Sequence, residues 1–198
     1  MPKTTILCWR TMLATKSGSI TVEDYERWRD EKENGKVKLA TLIKERLRER
    51  YIDPIEGMRL EQKNGFAIMA LSCLLIETLE SFYRGWPKSP NSNLAFCGFF
   101  DRHVNLLPEF KGYAQSFYAN VRCGILHQGE TMQGWTITRK AGASLFEPAS
   151  LEIHATKFNR ILGTAIVQYS KTLETTALSA DLWKNFVQKM NATVKACG

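Results

Sequence analysis

The stretch FAIMALSCLLIETL constrains this 198-residue chain more than any other. From Phe66 to Ile76 it is apolar nearly all round a helical wheel, so other elements have to wrap it on every side. It spans 14 residues and carries a carboxylate, Glu77, near its end, short of the ~20 apolar residues that cross a bilayer. It reads as the central helix of a soluble bundle, with no membrane partner. The apolar run before Arg10 is too short for a signal-peptide core.

Glu77 continues the stripe Phe66, Ala70, Cys73, and a buried carboxylate needs a cationic or hydrogen-bonding partner. Glu80, about one turn later, is expected to be exposed.

The flanking sequence is mostly helical in period. SITVEDYERWRDEKENG offers Ser19 or Thr21 as an N-cap and Gly35 as a stop. KVKLATLIKERLRERY sets Leu39, Leu42, Ile43, Leu47 and Tyr51 on one face. Its other face carries Lys36, Lys38, Lys44, Arg46, Arg48 and Arg50, which reads first as a solvated face. The central helix is expected to run from Met58 to Gly85, before the loop WPKSPNSN. LAFCGFFDRHVNLL gives a shorter helix, and Pro108 opens the next, with Phe110, Tyr113, Phe117 and Val121 on its core side. GWTITRKAG alternates and is flanked by glycines, which predicts a strand of a small hairpin in which Trp135 has a claim to exposure. Helical period returns through Phe158, Leu162, Ile166 and Tyr169, and again in ADLWKNFVQKM. The fold class is all-α, a helical bundle with a short β-hairpin insertion.

Composition narrows the partners. A net charge of +7 and a pI near 9.2 favour polyanions, RNA among them. The five cysteines (Cys8, Cys73, Cys97, Cys123, Cys197) include no CxxC pair, so neither a zinc site nor a disulfide framework is expected. Reduced thiols fit a cytoplasmic protein. No metal-ligand cluster or cofactor motif is visible, and none is expected. His103 and His154 have no partners at ligand spacing and read as structural.

The candidate chemistry sits in YANVRCGILHQGET, where Arg122 and His127 bracket four small or apolar residues. On a regular helix, residues five apart stand about 140° apart around the axis. Convergence therefore needs either a backbone break, for which Gly124 is the permissive residue, or a two-fold axis that sets two copies of the motif around one cleft. Histidine moves protons near neutral pH. Arginine holds a phosphate and the charge that builds on its oxygens. Together they suffice for metal-free cleavage of RNA through its 2′-OH. Cys123 and His127 also share an i, i+4 spacing, which leaves a cysteine-dependent enzyme as a further reading.

NVRCGILHQGET, preceded by GFAIMALSCLLIETLESFYRG and followed by GWTITR and a helix near KFN, resembles the HEPN superfamily over about residues 56–175. The resemblance implies an antiparallel helical bundle, a HEPN-like domain assigned to 56–198; residues 1–55, outside the resemblance, read as an N-terminal helical arm. It further implies a homodimer whose paired R-x4-6-H motifs form an RNase cleft, in a toxin–antitoxin or antiviral setting with an antitoxin or other regulatory protein. Arg122 and His127 would be the catalytic pair, with Glu77 supporting them and Cys123, Gln128 and Glu130 around the turn. The position after the arginine, often Asn, Asp or His in the family, is Cys123 here, and some members are inactive scaffolds. A non-enzymatic module that binds nucleic acid, a nucleotide or a protein is the competing class.

Overall fold

The computed structural model describes residues 20–59 and 62–197; Cys8 falls outside them. The chain is mostly helical, with one small three-stranded sheet. It divides into two compact units, one holding residues 20–50, Ser81–Lys88 and 166–197, the other Tyr51–Glu80 and Ser89–Ala165. Two long helices, α4 (Gly65–Arg84) and α8 (Ala155–Thr175), each contribute a segment to both.

In the first unit, α1 (Val22–Asp30) starts at a capping box. The Thr21 hydroxyl accepts the Asp24 N–H at 3.1 Å and the Asp24 carboxylate accepts the Thr21 N–H at 3.0 Å, satisfying two donors that a helix start leaves orphaned. Helix α2 (Lys36–Tyr51) buries Leu39, Leu42, Ile43 and Leu47, as its spacing predicts. Its charged residues are less solvated than expected, because Lys36 and Arg46 are buried too; long aliphatic stems cover apolar surface in this way. Helix α9 (Asp181–Cys197) is tied in by specific bonds. Tyr25 donates its hydroxyl to Asn191 at 2.9 Å, and Asn185 donates to the Tyr83 carbonyl at 2.7 Å. At the end of α4, Gly85 has φ +66°, and a Cβ there would come within 2.9 Å of the Asn185 Cα. The close approach and the left-handed backbone both demand glycine.

In the second unit α3 (Asp53–Glu56) precedes α4, and α5 (Ser92–Arg102) starts at Asn91, whose side chain accepts the Leu94 N–H at 3.2 Å. The helix predicted from Pro108 is broken. A 3-10 turn at Pro108–Phe110 is followed by Gly112 at φ +83°, then α6 (Ala114–Phe117), a π-helical turn over Tyr118–Arg122 and α7 (Cys123–Gln128). Phe96, Phe99, Phe110, Phe117 and Phe158 are fully buried, and ring pairs such as Phe110–Phe146 at 4.4 Å and Phe117–Phe158 at 5.4 Å join the elements. Gly65–Arg84 is, among the described residues, the helix long and apolar enough to cross a membrane, and 56% of its most apolar window is buried within the protein; it is not wrapped on every side as expected, since Phe66, Ala67 and Leu74 stay exposed.

The predicted strand is present and so is a hairpin, but the hairpin is made by the two strands that follow, and the predicted strand joins its edge in parallel. Strand β1 (Thr136–Thr138) pairs in parallel with β3 (Glu152–His154), and β2 (Phe146–Glu147) pairs antiparallel on the other side, in the order β1-β3-β2. Residues 139–151 supply the crossover that parallel pairing requires. Trp135 is buried, stacked within 8° of parallel on Phe146, its indole N–H donated to the Ser116 hydroxyl at 3.1 Å.

Two further departures have charged causes. Helix α4 begins at Gly65 rather than Met58 because the preceding carbonyls are engaged elsewhere. The Arg139 guanidinium donates to the carbonyl oxygens of Met58, Arg59 and Gln62, at 3.3, 2.9 and 2.8 Å, and to the Thr156 hydroxyl at 3.0 Å. Glu80, expected to be exposed, is the most buried carboxylate on α4 at 0% exposure. Arg102 meets it with a two-point bond of 3.3 and 3.1 Å, the geometry that makes such burial tolerable. Replacing Arg102 by alanine is expected to cost about 2–3 kcal/mol in chemical denaturation, because the carboxylate stays buried without the two-point Arg102 bond. A cost below about 0.5 kcal/mol would show that the pair does not matter.

His154 is buried and caps α8 through its ring, Nδ1 accepting the Lys157 N–H at 3.3 Å. Burial, and then the Lys157 charge, lower its pKa from the ordinary 6.5. The folded state therefore prefers the neutral ring, and its contribution is complete above the unfolded-state value and is lost as pH falls below it. Between about pH 7 and 5 the parent is expected to lose more thermal stability than His154→Asn, which keeps a capping acceptor without the titration. Equal losses would contradict this.

Candidate functional site

The motif helix changes pitch just before the arginine. In the π turn the Cys123 N–H reaches the Tyr118 carbonyl, five residues back. One extra residue in a turn shifts the phase of the later residues by about 100°. It also leaves the Asn120 carbonyl to accept the Met132 N–H at 2.9 Å. The chain after the motif folds back closely enough that a Cβ on Gly124 would lie 2.4 Å from the Glu130 carbonyl oxygen. Gly124 is therefore needed for close packing. The expected break does not occur there, since α7 runs through it to end at Gly129, φ +68°.

The phase shift delivers Arg122 to α4. Its Nε donates to Glu77 Oε1 at 2.9 Å, and Nη2 lies 2.8 Å from the same oxygen. Ser92, the first residue of α5, completes the group by donating its hydroxyl to Glu77 Oε2 at 2.8 Å and accepting from Arg122 Nη2 at 3.4 Å. Both charged side chains are 18% exposed. The guanidinium lies 5.7 Å from the centre of the Tyr118 ring. Burial acts against the Arg122 charge, yet the Glu77 carboxylate outweighs it and raises the pKa. The Tyr118 hydroxyl is pushed up, first by burial and then by its bond to the Cys123 thiol. Burial likewise pushes the Cys73 thiol well up despite the nearby Arg122 charge.

Arg122 and Glu77 open into a cavity of about 190 Å³ walled by Ala70, Cys73, Leu74, Ile125 and Leu126. Leu74 and Leu126 are 53% and 58% exposed. His127 is exposed and does not line this cavity. Within one chain, then, the arginine and histidine remain on different sides of α7, as five residues of regular helix dictate.

The other expected positions are peripheral. Cys123 is half-buried with its thiol facing Tyr118 and Arg122. Gln128 is exposed, and exposed Glu130 accepts the Thr131 N–H at 3.0 Å, a turn-stabilising role. Among the described residues no group of three or more His, Cys, Asp or Glu is placed to hold a metal ion. Ser92 and Tyr118 are the site residues that sequence reasoning missed. Tyr118 was within reach, one helical turn before Arg122, whereas Ser92 sits in what reads as loop punctuation.

Comparison with protein-family models, curated proteins and solved structures returns no match.

Glu77→Gln is expected to cost about 1–2 kcal/mol and Ser92→Ala about 1 kcal/mol or less in chemical denaturation. The double variant is expected to cost less than the sum, because the three side chains form one network. Strict additivity would show that the serine supports neither partner.

Proposed function

We propose that this chain is a HEPN-like, metal-independent endoribonuclease that works as a homodimer in a toxin–antitoxin or antiviral setting. The observation that carries the reading is the arginine's posture. Glu77 and Ser92 hold Arg122 by Nε and Nη2 at the mouth of the cavity, where its charge is placed to meet a phosphate oxygen. Pre-fixed charge of this kind stabilises a transition state without reorganising during the reaction.

His127 of the same chain faces elsewhere, so the proton chemistry is assigned to a two-fold related copy. Exposed Leu74 and Leu126 beside the cavity give that copy an apolar surface to cover. In the shared cleft one His127 takes the proton of the ribose 2′-OH. The O2′ then attacks phosphorus, the P–O5′ bond breaks, and the same ring, now protonated, returns that proton to the departing O5′. The products are a 2′,3′-cyclic phosphate and a 5′-hydroxyl, and DNA is spared for want of the 2′-OH. An antitoxin or other regulatory protein belongs to the same proposal, acting by covering the cleft.

A non-enzymatic module that binds nucleic acid, a nucleotide or a protein is the second reading, favoured by the same Arg122–Glu77 pairing if its purpose is only to neutralise a half-buried carboxylate. A module with no use for the histidine would be better served by a buried His127, and His127 is exposed.

The test is cleavage of a labelled mixed-sequence RNA in EDTA. The parent is expected to leave cyclic-phosphate ends, and His127→Ala to lose about 10²–10⁴-fold in rate with its fold intact. Equal cleavage by both would remove His127 from the mechanism. No cleavage by either, with both folded and dimeric, would favour the binding module.

A further inference from the structure

A second depression in the same unit is built differently from the arginine cavity. It is a groove of about 550 Å³ whose walls include Lys63, Phe66, Ile137, Thr138 and Lys140, well within the ~300–1,000 Å³ range of ligand clefts. Its construction is firm. A Cβ on Gly65 would stand 2.9 Å from the Ile137 side chain, so the first turn of α4 lies directly on β1. The wall that carries Lys63 is held by Arg139, whose Nη1 donates to the carbonyls of Arg59 and Gln62.

The charges in the groove are one-sided. Lys63, Arg139 and Lys140 line it with no carboxylate among the described residues. Arg139 spends its donors on protein carbonyls. Lys63 and Lys140 are exposed, and among the described residues no carboxylate pairs with either. Phe66 lines the same groove, 37% exposed on a helix whose residues Ile68 and Met69 are fully buried. Two exposed ammonium groups and an accessible aromatic ring in one groove suit the phosphates and stackable bases of a single strand.

We propose that this groove binds a single-stranded RNA segment, with Lys63 and Lys140 on its phosphates and a base stacked on Phe66. The choice of RNA over DNA rests on the endoribonuclease reading; the groove chemistry does not. Position supports the link. Phe66 and Glu77 are eleven residues apart on α4, close to three whole turns, so they share a face at about 16 Å separation. A strand seated in the groove lies along the face that leads to Arg122.

The experiment measures binding of a short labelled oligouridylate with 2′-O-methyl sugars, which 2′-OH attack cannot cleave, against salt. The K63E/K140E protein is expected to bind at least about tenfold more weakly, and K63Q/K140Q to flatten the log–log salt slope by about 1.4, the value for two phosphate contacts on a single strand. Phe66→Ala is expected to weaken binding about fivefold or more while Phe66→Tyr retains it, which separates lost stacking from a damaged fold. Parent-like binding by K63E/K140E overturns the proposal. So does equal affinity for the matching RNA duplex, or capture of an acidic peptide with the same lysine dependence and greater affinity. Lysine-dependent binding without any cleavage keeps the groove and removes the nuclease. Cleavage that needs His127 but ignores these lysines does the reverse.

Discussion

Two carboxylates on an otherwise apolar helix set the terms for the unit that holds the candidate site. Glu77 and Glu80 are close enough along α4 that both leave water when the helix is packed, and each is answered by an arginine from a later element: Arg122 from the motif and Arg102 from the end of α5. Leaving either acid unanswered would cost several kcal/mol, a large share of an ordinary domain's stability. The two solutions differ in depth. Glu80 is completely buried and its pair is structural, whereas Glu77 and Arg122 sit at a cavity mouth with part of the guanidinium accessible. Similar chemistry, placed one turn apart, gives a staple in one case and a poised cation in the other.

The π turn makes this placement possible. With regular pitch throughout, residues that pack the core before Tyr118 and residues that meet α4 after it would not both be in phase. The extra residue is maintained by the returning 130–132 segment, which occupies the Asn120 carbonyl and packs on Gly124. The same regularity that α7 recovers afterwards keeps His127 away from Arg122. The proposed two-fold cleft is a consequence of that separation.

The sequence was legible where burial imposed a long period. Helices α2, α5, α8 and α9 follow their apolar spacing, and the Thr21 cap follows local chemistry alone. The need of Glu77 for a partner was readable, and the resemblance set it beside Arg122 and His127. What stayed hidden depended on contacts between distant residues. Strands of two and three residues carry no period, so the parallel pairing of β1 with β3 was invisible. Arg139 gives no local sign that it will claim the carbonyls that delay α4, nor Ser92 that it will bond Glu77. The π turn has near-helical backbone angles, and only the tertiary contact selects it.

Whether arginine and histidine act across two chains decides the proposed mechanism, and mixed dimers test that most directly. Arg122→Ala and His127→Ala proteins are each expected to be inactive on RNA. Co-folded as heterodimers they retain one Arg122 and one His127 on opposite protomers, and cleavage is expected to return to a measurable fraction of the parent rate. Heterodimers that form and stay as inactive as either parent variant would contradict a cleft shared between the two copies.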